Sequence, residues 1–197
     1  WCLPVDDVEE WLRVKPEAVL LLLLGNRREG GLVKFLKGEG LASSVDATIE
    51  EFTRSFALLT CYIDLTPSGL DRWPAVGNAL FSYLKALRSS PIPRHVFSDV
   101  RTMRQIAFDY SEPPPPQSFV QSAATSIGSF PPRSWLTGPV LVGEGGEGLV
   151  AGLLDQLQTS NAQVKLTAQE LRPQALETEP VYGVRYGRLP ISREVEG

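Results

Sequence analysis

The chain holds 197 residues, with 19 Lys and Arg against 23 Asp and Glu, a formal net charge of −4. That mildly acidic balance argues against a nucleic-acid footprint, which needs surplus Lys and Arg gathered on one face. One histidine, His95, excludes a His-rich zinc site, and the length supports a buried core without disulfide or metal staples.

Trp1 opens the chain and reads as the start of a processed product or of a piece of a longer polypeptide, any targeting segment lying upstream. The compartment stays open between the cytosol and the secretory pathway. Cys2–Val5 reads as extended, and Asp6 or Asp7 caps a helix through Leu12. Pro16 suits the first turn of a second helix, apolar almost all round and therefore buried, ending at Gly25-Asn26. Its run Ala18–Leu24 is the longest apolar stretch, well short of the ~20 residues of a membrane span. Gly30-Gly31 open a third helix, with Leu32, Val33 and Leu36 on one face, ending at Gly38 or Gly40.

Leu41–Thr48 reads as a weakly patterned strand, Ile49–Glu51 as a hairpin turn or loop, and Arg54–Leu65 as a central strand apolar on both faces and covered on both sides. Thr66–Gly69 is turn and cap chemistry. A long helix from Leu70 to Leu87 has Pro74 in its first turn or at a kink. A further helix, Arg94–Tyr110, turns Val96, Val100, Met103, Ile106 and Ala107 inward. Pro113–Pro116 is a stiff connector. Ser118–Ser126 and Glu147–Leu157 read as helices and Val164–Leu166 as a short strand. Residues 1–170 then form one domain, and 171–197, with Pro173, Pro180 and Pro190, an extended linker. The order predicts an α+β fold, an antiparallel sheet with helices packed on one face.

The residues alone complete no active site. Cys61 lies in an apolar run and reads as a buried, inert thiol. Gly143–Gly148 lacks the Lys-Ser/Thr of a phosphate loop and carries two acids, so it reads as a loop with a helix cap. Asn26–Gly31 is open to two readings: an anion held by Arg27 and Arg28 at a helix start, or a solvated turn.

Five segments in order carry a resemblance: Leu23–Val33 followed by Leu36-Lys37 and Gly40-Leu41-Ala42, then Ile63–Leu70, Phe81–Arg88, Phe130–Pro139 and Thr178–Tyr186. Together they resemble the second, non-catalytic domain of the pitrilysin or insulin-degrading-enzyme family and the linker that follows it. The resemblance implies a parent zinc metalloendopeptidase of four homologous α/β units, whose halves close around a peptide. Its first unit carries the inverted zinc motif H-x-x-E-H, absent from this chain. Such a second unit forms chamber wall and presents an exosite strand that anchors extended peptides by strand addition.

Carried over by position, that exosite comprises Gly30 and Gly31 with Ser43, Ser44, Val45, Asp46, Ala47 and Thr48. Two departures stand out: Asn26 where insulin-degrading enzymes have His, and Asp46-Ala47-Thr48 where they have a glycine-containing stretch. The implied partners are the catalytic domain and C-terminal half of the parent, with extended peptides as substrates. No cofactor is expected here, zinc belonging to the parent's catalytic domain. The alternative reading is a scaffold unit of a catalytically dead pseudo-peptidase, or of a core-type mitochondrial subunit.

Overall fold

A computed structural model describes residues 1–188. Asp7 accepts the amides of Glu9 and Glu10 at 3.0 and 2.9 Å and starts α1 (Val8–Val14). Lys15 ends that helix at φ 47°, and Pro16 begins α2 (Pro16–Leu24) at once. After α3 (Leu32–Gly38) come β2 (Ala42–Phe52) and β3 (Phe56–Leu65), an antiparallel hairpin. β1 (Cys2–Pro4) pairs on the far side of β3, so the sheet order is β1-β3-β2. α4 (Pro67–Asp71), α5 (Trp73–Ser89), α6 (Arg94–Asp109), α7 (Pro116–Ile127) and α8 (Glu147–Gln156) follow, then a two-stranded ribbon of β4 (Glu177–Thr178) and β5 (Arg185–Tyr186).

The helices pack on one face of the sheet, as the pattern predicts. α2 and α3 lie on β2, α5 rests on α3 and α8, and α8 rests on α2. Leu3, Leu20, Leu36, Leu59, Leu84 and Leu157 are wholly buried between these layers. Each such leucine contributes about 1.5–3 kcal/mol relative to an exposed position.

Several boundaries differ from the sequence reading. β2 runs on through Ile49–Glu51 to Phe52, and the turn lies at Thr53–Ser55, where the Thr53 hydroxyl takes the amides of Ser55 and Phe56. The register steps between Ile49 and Glu51, leaving Glu50 as the extra residue of a bulge. The bulge sets both glutamates toward solvent and turns Phe52 onto Trp11, their rings 5.8 Å apart. β3 is central but covered on one side only. Ala57 and Leu59 are wholly buried, whereas Tyr62 is half exposed, because Thr60, Tyr62 and Asp64 make their face polar enough to be wetted.

The long helix is two, α4 and α5, broken at Arg72, with Pro74 in the first turn of α5. In α6 only Phe97 and Val100 are fully buried. Met103 and Ile106 are exposed, since the last turns run past the packed layer. Pro116 belongs to the first turn of α7, where its missing N–H costs nothing. Val164–Leu166 forms no strand, no described strand lying beside it. A 3-10 segment (Gln169–Gln174) runs across the expected start of the linker, which also holds the ribbon, whose turn is closed by the Glu179 carboxylate accepting the amides of Val181 and Tyr182. Its remainder, with Pro190, lies outside the described residues.

Two close contacts hold these parts in place. Thr66 donates its amide to the Leu41 carbonyl at 3.1 Å and its hydroxyl to the Gly40 carbonyl at 2.6 Å. Gly69 packs so tightly there that a Cβ would stand 1.8 Å from the Leu41 oxygen. At the α1–α2 junction, Lys15 Nζ donates to the carbonyls of Leu12 and Gly138 at 2.5 and 2.6 Å and lies 5.3 Å from the Phe130 ring centroid. Beside it, burial pushes the Glu17 carboxyl above its ordinary range, against weaker opposing pulls from its own amide and Lys15. Glu17 Oε2 finds no hydrogen-bond partner among the described residues.

Gly69→Ala must displace α4 from Leu41, at a cost of about 1–3 kcal/mol. An unchanged urea midpoint in this variant would contradict the tight approach. For Glu17, a raised folded pKa means that the native chain keeps a proton the unfolded chain has lost. Stability therefore falls as pH rises from about 4.3 through the folded value. Glu17→Gln removes this titration, so the slope over that window should flatten in urea midpoints taken as a pH series. A slope unchanged from wild type would assign it to another group.

Candidate functional site

The expected site residues fall in two places joined by α3. Gly31 precedes that helix and is buried; Gly30, at φ 80°, is exposed. The turn before them is self-contained. Asn26 Oδ1 accepts the Arg28 amide at 3.0 Å, and Gly31 donates to the Arg28 carbonyl at 2.9 Å. A Cβ on Gly31 would stand 2.2 Å from the Asn26 carbonyl oxygen, so only glycine lets the chain fold back here. Tyr83 of α5 donates its hydroxyl to the Leu23 carbonyl at 2.8 Å and anchors the turn from beneath. Arg27 and Arg28 point to solvent, and Glu29 pairs with Lys34. Of the two readings of this loop, the geometry is that of the solvated turn.

Ser43–Thr48 all lie on β2, an outer strand of the sheet. Val45, Ala47 and Ile49 stand opposite Ile63, Cys61 and Leu59 on the helix side. Ser44, Asp46 and Thr48 stand opposite Asp64, Tyr62 and Thr60 on the open side. The Ser43 hydroxyl donates to the Asp64 carbonyl at 3.1 Å, and Ser44 donates to the Asp64 carboxylate. Among the described residues, β3 alone bonds the main chain of β2 between Ala42 and Phe52. The outward N–H and C=O groups of β2 therefore form a row open to a further strand. The glycine turn and this row are linked by α3, which packs on β2; the turn's own close neighbours are Asn26 and Arg28, not the strand.

The remaining candidates resolve simply. Burial pushes the Cys61 thiol up to about 11, with Asp46 adding to the effect, so thiolate chemistry is suppressed at neutral pH. His95 is exposed at the start of α6. The Gly143–Gly148 loop is fastened to α1: Gly143 donates to the Arg13 carbonyl at 2.8 Å and Arg13 to the Glu144 carbonyl at 2.7 Å. The described residues hold no group of three His, Cys, Asp or Glu that fits a metal ion, and no helix long and apolar enough to cross a membrane.

Sequence reasoning missed two features of the site. Tyr83 was legible only as part of the inward stripe of α5, with nothing to mark its bond to the turn. The Glu50 bulge left one signal, adjacent acids interrupting an alternating strand, which reads equally well as a loop.

Residues 108–196 match the family model described as the middle or third domain of peptidase M16, a match that runs across the boundary expected at residue 170. Over 96% of its length the chain is 25% identical to an insulin-degrading enzyme of Drosophila melanogaster. It is 27% identical over 87% to a peroxisomal insulin-degrading enzyme-like protein of Arabidopsis thaliana, and 24% over 94% to nardilysin of Rattus norvegicus. The chain covers only 19%, 18% and 16% of these relatives, less than a fifth of each. Its fold is that of a crystal structure of pitrilysin, with a TM-score of 0.76 over 83% of this chain and 17% of that one, at 23% identity. Segment order, fold and sequence matches agree: residues 108–196 match the middle or third domain of peptidase M16, and nearly the whole chain is similar to a stretch of insulin-degrading enzyme and nardilysin.

Proposed function

We propose that this chain is a non-catalytic supporting unit of a zinc metalloendopeptidase, forming chamber wall and anchoring an extended substrate peptide along β2. The observation that carries the reading is the open main-chain row of β2 on a strand braced from behind by α2 and α3. An incoming strand gains main-chain hydrogen bonds there without needing a particular side chain. On this reading residues 1–170 are the supporting unit and 171–197 the connection onward. In support, the buried core ends at Leu157 and the ribbon side chains Val181, Tyr182 and Tyr186 are exposed. Its partners are the catalytic domain and C-terminal half of the same parent.

Zinc does not fit this chain. A single His cannot supply H-x-x-E-H, and no described carboxylate or thiol cluster replaces it. Peptide hydrolysis is therefore assigned to the parent's catalytic domain.

Two outcomes test the reading. Methylating alternate amides of an extended peptide removes the donors an added strand needs and leaves the protein untouched. Affinity for the 197-residue chain should fall at least about fivefold, two or more hydrogen bonds being worth about 0.5–1.5 kcal/mol each. Equal affinity of the methylated and plain peptides would overturn strand addition. Separately, the purified chain should retain no stoichiometric zinc by elemental analysis and cut no peptide; chelator-sensitive cleavage would contradict the assignment.

A further inference from the structure

On the open side of the sheet the β2 residues are Ser44, Asp46, Thr48 and the bulge glutamates. Of the carboxylates there, two are already engaged by neutral donors of the sheet itself: Asp64 by Ser44 and Glu50 by the Tyr62 hydroxyl. Asp46 is exposed, stands mid-strand, and accepts no hydrogen bond and pairs with no Lys or Arg among the described residues. A strand added outside β2 would place one of its side chains directly across from Asp46, with Cβ atoms about 4.5–5.5 Å apart in an antiparallel pairing. We propose that β2 is selective by charge, favouring extended segments with Lys or Arg at the residue that pairs with Asp46. This rests on the strand-addition reading above and adds a side-chain preference to it. The main-chain row supplies affinity for any extended segment, and the Asp46 carboxylate distinguishes a basic one from an acidic one.

The test uses three fluorescein-labelled peptides of alternating Thr and Val that differ only in one central residue, Lys, Gln or Glu. Each is titrated with the 197-residue chain by fluorescence anisotropy at low ionic strength. The Lys peptide should bind about 1.5- to 5-fold tighter than the Glu peptide, the range for one cross-strand charge pair. The preference should shrink at 1 M salt, where the Debye length is about 3 Å. Asp46→Asn should erase it and Asp46→Lys reverse it. Asp64→Asn should leave it in place, with circular dichroism confirming the fold of each variant. The Gln peptide, neutral at the position that pairs with residue 46, reports on the strand edge alone. Equal binding of all three peptides would overturn the selectivity while leaving strand addition standing. A Lys preference surviving in Asp46→Asn would overturn the role of Asp46. Failure of every peptide, the Gln peptide included, would overturn strand addition and the selectivity together.

Discussion

The Leu41 carbonyl is where the architecture is pinned. Its residue's amide bonds back to Leu36 at the end of α3, its oxygen takes the Thr66 amide after β3, and Gly69 of α4 closes over it. One peptide thus connects the helix before the hairpin, the hairpin's open end and the helix after it. Because the side-chain period of a strand is two, this point also decides which β2 residues face the helices and which face out. A slip of one residue would send Val45 and Ala47 outward and carry Asp46 into the core, where an unpaired carboxylate is costly. Register and surface chemistry are fixed by the same short contact.

From that pin the sheet acquires two unlike faces. The helix side is sealed by wholly buried leucines from α2, α3 and α5. The open side carries hydroxyls, carboxylates and the half-exposed Tyr62. A sheet braced on one side and bare on the other resists deformation while keeping an accessible strand, which suits a wall that also holds something. The relatives that this chain matches are five to six times longer than it.

Much of this was legible in the residues. Apolar residues on both faces placed β3 at the centre of the sheet, proline and glycine marked the helix starts, and segments that include the turn Asn26–Gly31 and Thr66–Leu70 carried the family resemblance. What failed did so for physical reasons. Apolar content on both faces of Arg54–Leu65 suggested two covers, but the hydroxyls of Thr60 and Tyr62 let one face remain wet. Met103 and Ile106 obey the helical period of α6, yet period identifies a stripe and not whether another layer reaches it. The outer position of β2 could not be read from its own residues at all, since strand order depends on long-range pairing. The family resemblance supplied it.

The Glu50 bulge also fixes a length. The β2 ladder is regular only from Ser44 to Ile49, between one register step near Ser43 and another at the bulge. At about 3.3 Å per residue this leaves roughly 20 Å of straight template. Past the bulge the strand twists more strongly and bends, so a companion chain following β2 would part from it there. Strand addition along β2, as proposed above, would thus be confined to a short stretch of extended chain, with the remainder of a longer polypeptide free to go elsewhere.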